Sequence, residues 1–435
     1  MASRNAALPL LLLCGVPVLR GQSDLKSIVE RLERLEKQNQ ELVREIEVLR
    51  SQVAEARAEP NVSERLDVQE RRIEEHADSK VEAANKLPVR LTGTVLMNIF
   101  SNGPQSGGAE NPTTAALNPG LRNSGAMLRQ STLGLVYDGA PTVLGAKVSG
   151  SIMMDFFAGS NAALNHTFRV RTASVELDWE NTSIVAGQLK PIISPRDPTS
   201  LAQVGVDPLT GAGNLWFWQP QVFVEQRIGL GEQTSIRARV GVYQTNESTA
   251  VNVPTQFAPT LARARPALQG RIELRRPNLE LAPGFHVSRT QVAGTSVPSN
   301  AVTFDWMYRP LQKVELTGFV FAGANLSNMG TLRQGYTILG DRNVIALRAR
   351  GGWAQLAIHP ASRISLNIMA GQHDDNNADL RLAGIGKNEA YAANLMYRLA
   401  PNLVLALERS QVRTTYLQGG KRRNNHYDLA IGYSF

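Results

Sequence analysis

Two absences set the frame. The 435-residue chain has one cysteine, Cys14. It sits in a segment expected to be removed, so the mature chain would have no thiol and no disulfide staple, as suits an oxidising compartment. Beyond the first two dozen residues no stretch approaches the roughly 20 apolar residues a membrane-spanning helix needs, which excludes a helical channel. Lysine is scarce toward the C-terminus: from residue 88 onward only Lys147, Lys190, Lys313, Lys387 and Lys421 occur. Metal spacing is missing as well. The six histidines (His76, His166, His286, His359, His373, His426) form no i, i+4 pair and have no cysteine partner, so no metal or other cofactor is expected. Gly386-Lys387 lacks the upstream glycine and the following hydroxyl of a phosphate loop. His373-Asp374-Asp375 has no nucleophile beside it. No enzyme constellation and no nucleic-acid motif is found.

Much glycine is present (36 residues), with many short alternating segments. This composition also fits a transmembrane β-barrel, whose hydropathy is unremarkable because only alternate side chains meet lipid. Residues 1–21 read as a signal peptide: Arg4, an apolar run from Ala6 to Leu19, then a polar break. From Leu25 the apolar spacing alternates three and four (Leu25, Ile28, Leu32, Leu35, Asn39, Leu42, Ile46, Leu49, Val53), the a and d positions of a coiled coil over 22–59. Asn39 at an a position fixes register at some cost in stability. Pro60 ends this helix, and Ser63 is placed to cap a second helix or linker over 60–87.

At Leu87-Pro88 the period changes to 2. Counting VRLTGTVLMNIF, sixteen such segments follow, centred near residues 94, 132, 152, 173, 187, 223, 239, 271, 286, 305, 318, 349, 367, 394, 408 and 430. The last is NNHYDLAIGYSF, with Tyr427, Leu429, Ile431, Tyr433 and Phe435 on one face. Long or polar loops (102–123, 159–165, 191–218, 244–264, 290–298, 325–342, 374–387, 418–423) alternate with tight turns such as Arg276-Pro277-Asn278. The expectation is an all-β transmembrane barrel of about 16 antiparallel strands over 88–435, preceded by the N-terminal α-helical coiled coil.

Charge divides along the same boundary. Residues 22–87 carry 12 basic and 16 acidic groups, whereas residues 88–435 carry 32 and 22, a surplus of ten, and 27 of those bases are Arg. Several fall on one strand at even spacing: Arg169 and Arg171, Arg237 and Arg239, Arg271 and Arg275, Arg348 and Arg350. Such pairs share a face, so all four are expected to line a water-filled lumen and attract anions, with the interleaved apolar residues (Leu347 and Ala349 among them) toward lipid. Rim arginines on anionic lipid headgroups are the plainer alternative for any single pair. Parity is uneven near residue 173 and near Trp353, where a bulge would restore it. The loop 191–218 follows the fifth strand and is expected to fold inward as a constriction bearing Lys190, Arg196, Asp197 and Asp207, with Gly211 to Gly213 giving the bend. Trp179, Trp216, Trp218, Trp306 and Trp353 fit interfacial girdles.

With VRLTGTV, SGSIMMDFF, FRVRTASVELDW, SIVAGQLKPIISP, WFWQPQVFVEQR, RARGGWAQLAI and the terminal Tyr-Ser-Phe in place, the chain resembles bacterial trimeric porins of the phosphate-selective porin O/P and DcaP-like group. The resemblance implies a homotrimer in the outer membrane, in contact with its lipid. It also implies recognition of Phe435 by the barrel-assembly machinery, a periplasmic coiled coil, and passive diffusion of small anionic solutes such as dicarboxylates. The few lysines argue against strict phosphate selectivity. Tethering of the outer membrane to the cell wall by the stalk is the structural alternative, although no wall-binding domain precedes the heptads.

Overall fold

The computed structural model describes Arg44 and Val48, then residues 88–139, 144–158, 167–245, 247, 253–263 and 265–435. Arg44 and Val48 are helical and exposed. The signal peptide, Asn39 and the rest of the 22–59 and 60–87 segments lie outside the described residues. Pro88–Phe435 forms one compact unit.

That unit is a sheet closed on itself. Its strands are β1 (Val89–Asn102), β2 (Ser124–Met127), β3 (Thr132–Asp138), β4 (Lys147–Ala158), β5 (Thr167–Asp178), β6 (Thr182–Leu189), β7 (Gln219–Gly229), β8 (Ser235–Gln244), β9 (Pro266–Arg276), β10 (Leu279–Val292), β11 (Thr295–Leu311), β12 (Val314–Ala324), β15 (Arg348–Ala361), β16 (Ile364–Asp375), β17 (Ile385–Ala400), β18 (Leu403–Tyr416) and β19 (Gly420–Ser434). Tyr336–Gly340 (β13) and Asn343–Ala346 (β14) form a separate hairpin in the loop between β12 and β15. β2 and β3 pair with the upper and lower halves of β1, so they act as one interrupted wall strand and the barrel has 16. Neighbours are antiparallel throughout, and β1 meets β19 from Thr94↔Ser434 to Asn102↔His426. Closure is what lipid demands, since an open edge would leave backbone N–H and C=O groups without partners. All sixteen segments expected from periodicity fall within these wall strands.

The alternation sorts residues by solvent. On β1, Val95, Met97 and Ile99 are exposed on the outer face, whereas Leu96, Asn98, Phe100 and Asn102 are buried inside. The outer belt continues through Val175, Val224, Val240, Ile272, Val287, Leu395, Leu407 and Leu429. Tyr137, Tyr308, Tyr397 and Tyr433, all exposed, lie at the short-turn ends of their strands. These tyrosines make the interfacial ring there.

Two expectations are corrected, and a third is met in β5. Residues 290–298 are wall rather than loop: β10 and β11 pair through Val292↔Thr295, and the turn Ala293-Gly294 has φ of 48° and 72°, the two positive values a two-residue hairpin with right-handed strand twist requires. Trp353 and Trp216 are buried inside the barrel and Trp218 lies over the inward Arg169 and Arg171, so none of the three belongs to a girdle. The uneven parity near residue 173 on β5 is the expected bulge: Met153 pairs with Thr172 but Met154 with Val170, leaving Arg171 as the extra residue. Arg169, Arg171, Thr172 and Glu176 then all face inward and Val175 turns out.

Candidate functional site: the inner wall and the inserted loop

The loop from Pro191 to Trp218, hereafter L3, lies inside the barrel and is bonded around its circumference. Ile192 N donates to Gln269 Oε1 (2.8 Å) on β9, and Thr199 N to Gln355 Oε1 (2.6 Å) on β15. Ser200 Oγ donates to Glu408 Oε2 (2.6 Å) on β18, and Asn394 Nδ2 on β17 to Thr199 O (2.8 Å). Asn98 Nδ2 on β1 reaches Leu201 O (2.8 Å). Gln130, between β2 and β3, donates to Ala202 O (2.8 Å) and accepts from the amides of Val204 and Gly205. A loop buried in a lumen would carry orphan backbone groups, and these side-chain amides of the wall satisfy seven of them.

The other attachment is apolar. Phe319, Phe321, Trp353 and Met369 point inward from β12, β15 and β16 and bury Leu209, Ala212 and Leu215 of L3. Contact is close enough to dictate glycine. At Gly213 φ is 103° and a Cβ would stand 2.3 Å from Gly352 O; at Gly371 it would stand 2.2 Å from Ala212 O. Gly211, at φ 75°, supplies the rest of the expected bend.

Charged residues occupy the opposite wall. Arg169 pairs with Asp155 (2.8 Å) and donates to Gly205 O; Arg171 reaches Asp155 (3.5 Å), Asp207 (3.2 Å) and Val204 O (2.6 Å). Trp218 covers both guanidinium groups, at 5.2 and 4.7 Å. Lys190 bonds Asp197 and, at 2.7 Å, Asp207, tying the start of L3 to its middle. Arg196 bonds Glu280 and, at 3.0 Å, Asp305. Arg271 holds Asp305 (2.8 Å) and Glu273, and Arg275 holds Glu273 (3.0 Å) and Glu280 (2.9 Å). Glu225 alone serves Arg227 (3.3 Å), Arg237 (3.3 Å) and Arg239 (2.6 Å), with Asp178 as Arg227's second partner. Across this wall nine cations share eight carboxylates, so the arginines form a nearly neutral lattice rather than bare rungs.

Positive charge is concentrated locally. Beneath L3 lies a cavity of about 720 Å³ whose lining includes Arg171, Lys190, Arg227, Arg237 and Arg239, against the carboxylates Glu176 and Glu225. On the long-loop side of L3 a second cavity, about 710 Å³, is lined by Arg169 and Arg333 and by no carboxylate.

Arg348 and Arg350 are elsewhere. Both are on the outer face at the long-loop end, 63% and 76% exposed, paired with Asp379 (2.7 Å) and Asp374 (3.0 Å). The ladders on either side of β15 are unbroken from Ala349 to Ile358. No bulge intervenes, and the parity that buries Ala349, Trp353 and Gln355 inside turns these arginines out; Leu347 too is buried rather than facing lipid. Apart from Asp197 and Asp207, the acidic partners on the inner wall are not among the expected site residues, although the signal is present. Glu273 sits between Arg271 and Arg275 at the same i, i+2 spacing, and Glu225 precedes Arg227 on one face, so the parity that selects the arginines selects these acids too.

No family model and no curated protein matches the chain. Among solved structures it is similar to the outer membrane channel DcaP of Acinetobacter baumannii (18% identity, TM-score 0.64, covering 80% of this chain and 97% of that one). It is also similar to an anion-selective porin from Comamonas acidovorans (13%, 0.54, 80% and 99%) and to OprB of Pseudomonas putida (9%, 0.52, 82% and 96%). These likenesses establish the fold, a porin-type barrel of sixteen strands.

Proposed function

We propose that the protein is an outer-membrane porin that lets small anionic solutes, dicarboxylates among them, diffuse passively down their gradients. The observation that carries this reading is the cavity under L3, where Arg171, Lys190, Arg227, Arg237 and Arg239 face two lining carboxylates. Fixed cations in a narrow, low-dielectric passage raise the local concentration of anions and exclude cations. The similarity to an anion-selective porin is in keeping with it. L3 acts as the constriction, with Lys190 at its base, Arg196, Asp197 and Asp207 along it, and Arg169, Arg171, Arg237, Arg239, Arg271 and Arg275 on the facing wall. The assembly proposed is a homotrimer embedded in outer-membrane lipid, inserted by the barrel-assembly machinery through the terminal Phe435, with residues 22–87 as a periplasmic stalk. Phe435 is 46% exposed and closes the barrel through reciprocal 3.1 Å bonds with Gly93. Planar bilayers holding the purified protein in a tenfold KCl gradient test the proposal. A reversal potential toward that of chloride, and faster swelling of vesicles in succinate than in a neutral sugar of equal size, are expected; cation selectivity would overturn it.

A further inference from the structure

The outer face over β15–β19 is graded. Cross-strand register sets residues in rows, and the row nearest the long loops reads Arg350, Asp374, Lys387, Thr415, Lys421 from β15 to β19. Two residues down each strand stand Gly352, Gln372, Glu389, Arg413 and Arg423. Six residues below these the row is wholly apolar: Ile358, Leu366, Leu395, Leu407 and Leu429. At 3.3 to 3.4 Å per residue the change from charge to hydrocarbon takes about 20 Å along the strand. Between the extremes Arg409 lies over the Tyr427 ring and Arg413 over the Tyr391 ring, at 6.0 and 4.9 Å, an amphipathic arrangement suited to an interface.

The band is cationic. With Arg348, seven cations stand against Asp374, Asp379 and Glu389, a surplus of four, and among the described residues Arg409, Arg413 and Arg423 have no carboxylate partner. The other side of the barrel differs. At the same end, the outward strand residues of β4–β9 include Phe168, Val170, Val222, Val242 and Leu268, and none is charged. A solvated barrel would have no reason to segregate charge in this way at one height and on one side.

We infer that the long-loop end of β15–β19 is a binding surface for the phosphate groups of a membrane glycolipid, whose acyl chains lie on the apolar rows below. The chemistry is that of guanidinium forks on phosphate oxygens at the hydrocarbon boundary, where each cation adds to the attraction. The inference rests on the barrel and its outer face, not on anion permeation through the lumen.

The test uses the full-length protein in a neutral detergent, with lipid retained after size exclusion measured by mass spectrometry. The probes are diphosphoryl lipid A, its dephosphorylated form and inorganic phosphate. Diphosphoryl lipid A should be retained on the order of tenfold more tightly than the dephosphorylated form and should be lost as salt rises from 0.05 to 0.5 M. The triple variant R409Q/R413Q/R423Q should lose about tenfold in retention, with single-channel conductance and oligomeric mass unchanged. Equal retention of the two lipid forms by the unaltered protein would overturn the inference without any variant. So would displacement by millimolar inorganic phosphate, which would mark a site for a free ion. A variant that retains lipid as before, or one that changes oligomeric mass, would also overturn it, the latter by making this face a contact between copies of the chain.

Discussion

Glu225 shows how a single carboxylate can set the field of the inner wall. It is 8% exposed and lies within 3.3 Å of three guanidinium groups, so it neutralises about one of three charges and holds all three side chains toward one another. Glu225→Gln keeps the shape and removes the charge. Anion selectivity, read from the reversal potential, should therefore rise, whereas the double change Arg237→Ala and Arg239→Ala should lower it. Identical reversal potentials in both would show that selectivity is set elsewhere. Asp305 has a different task, since it is 1% exposed and shared by Arg196 and Arg271. Asp305→Asn leaves two cations dependent on Glu273 and Glu280, and breaking such a buried pair costs about 3–5 kcal/mol. Equilibrium urea unfolding in vesicles checks this, and a change below about 1 kcal/mol would mean that the remaining acids compensate. At this scale the sequence was half legible. Parity shows which residues share a face, but which face is inner depends on neighbouring strands: Arg237 and Arg239 turn in, while Arg348 and Arg350, equally spaced, turn out.

Among the elements, L3 has the most to lose from a small change. Its apolar stretch packs on Phe319, Phe321 and Trp353 with backbone at near contact, so Gly213→Val, at φ 103° and 2.3 Å from Gly352 O, must push the loop off the wall. A noisier, larger single-channel conductance is the expected result, with the barrel still resistant to protease. Glu247, just beyond the end of β8, is a buried carboxyl with a pH response of its own. It is 1% exposed, its nearest cation Arg265 is 3.7 Å away, and burial pushes its carboxyl up to about 7 from 4.5. In the folded protein Glu247 keeps this proton where the unfolded chain releases it. The stability it contributes is therefore full below pH 4.5, falls as pH rises to 7 and is flat above, about 3 kcal/mol in all. Protease cleavage within residues 245–265 should increase over that window, and Glu247→Gln should flatten the profile; a pH-independent unaltered protein would refute the assignment. Periodicity revealed every wall strand because each is half in lipid. It could not reveal that residues 290–298 continue the ladder, because a two-residue turn with polar flanks has the composition of a loop, nor that Phe319 and Trp353 serve L3, since an aromatic facing a lumen and one facing lipid look alike in sequence.

For the whole molecule, the division of charge between its two parts has a consequence for assembly. Residues 22–87 carry a net charge of −4 and heptad spacing, while the barrel carries a surplus of ten positive charges. The barrel needs nothing from the N-terminal segment for closure, because β1 and β19 complete the sheet between themselves from Thr94↔Ser434 to Asn102↔His426. On the proposed reading each barrel is a separate pore, and the heptads would add a connection between copies by raising the effective concentration of one barrel near the next. Deleting residues 22–86 should therefore leave single-channel conductance and ion selectivity intact while lowering the temperature at which oligomers dissociate in detergent. Native mass spectrometry across a temperature series reads the dissociation, and planar bilayers read the pore. Unchanged dissociation combined with detachment of the outer membrane from the cell wall would assign the stalk to tethering instead. Loss of conductance together with oligomers would show that a single barrel is not a sufficient channel.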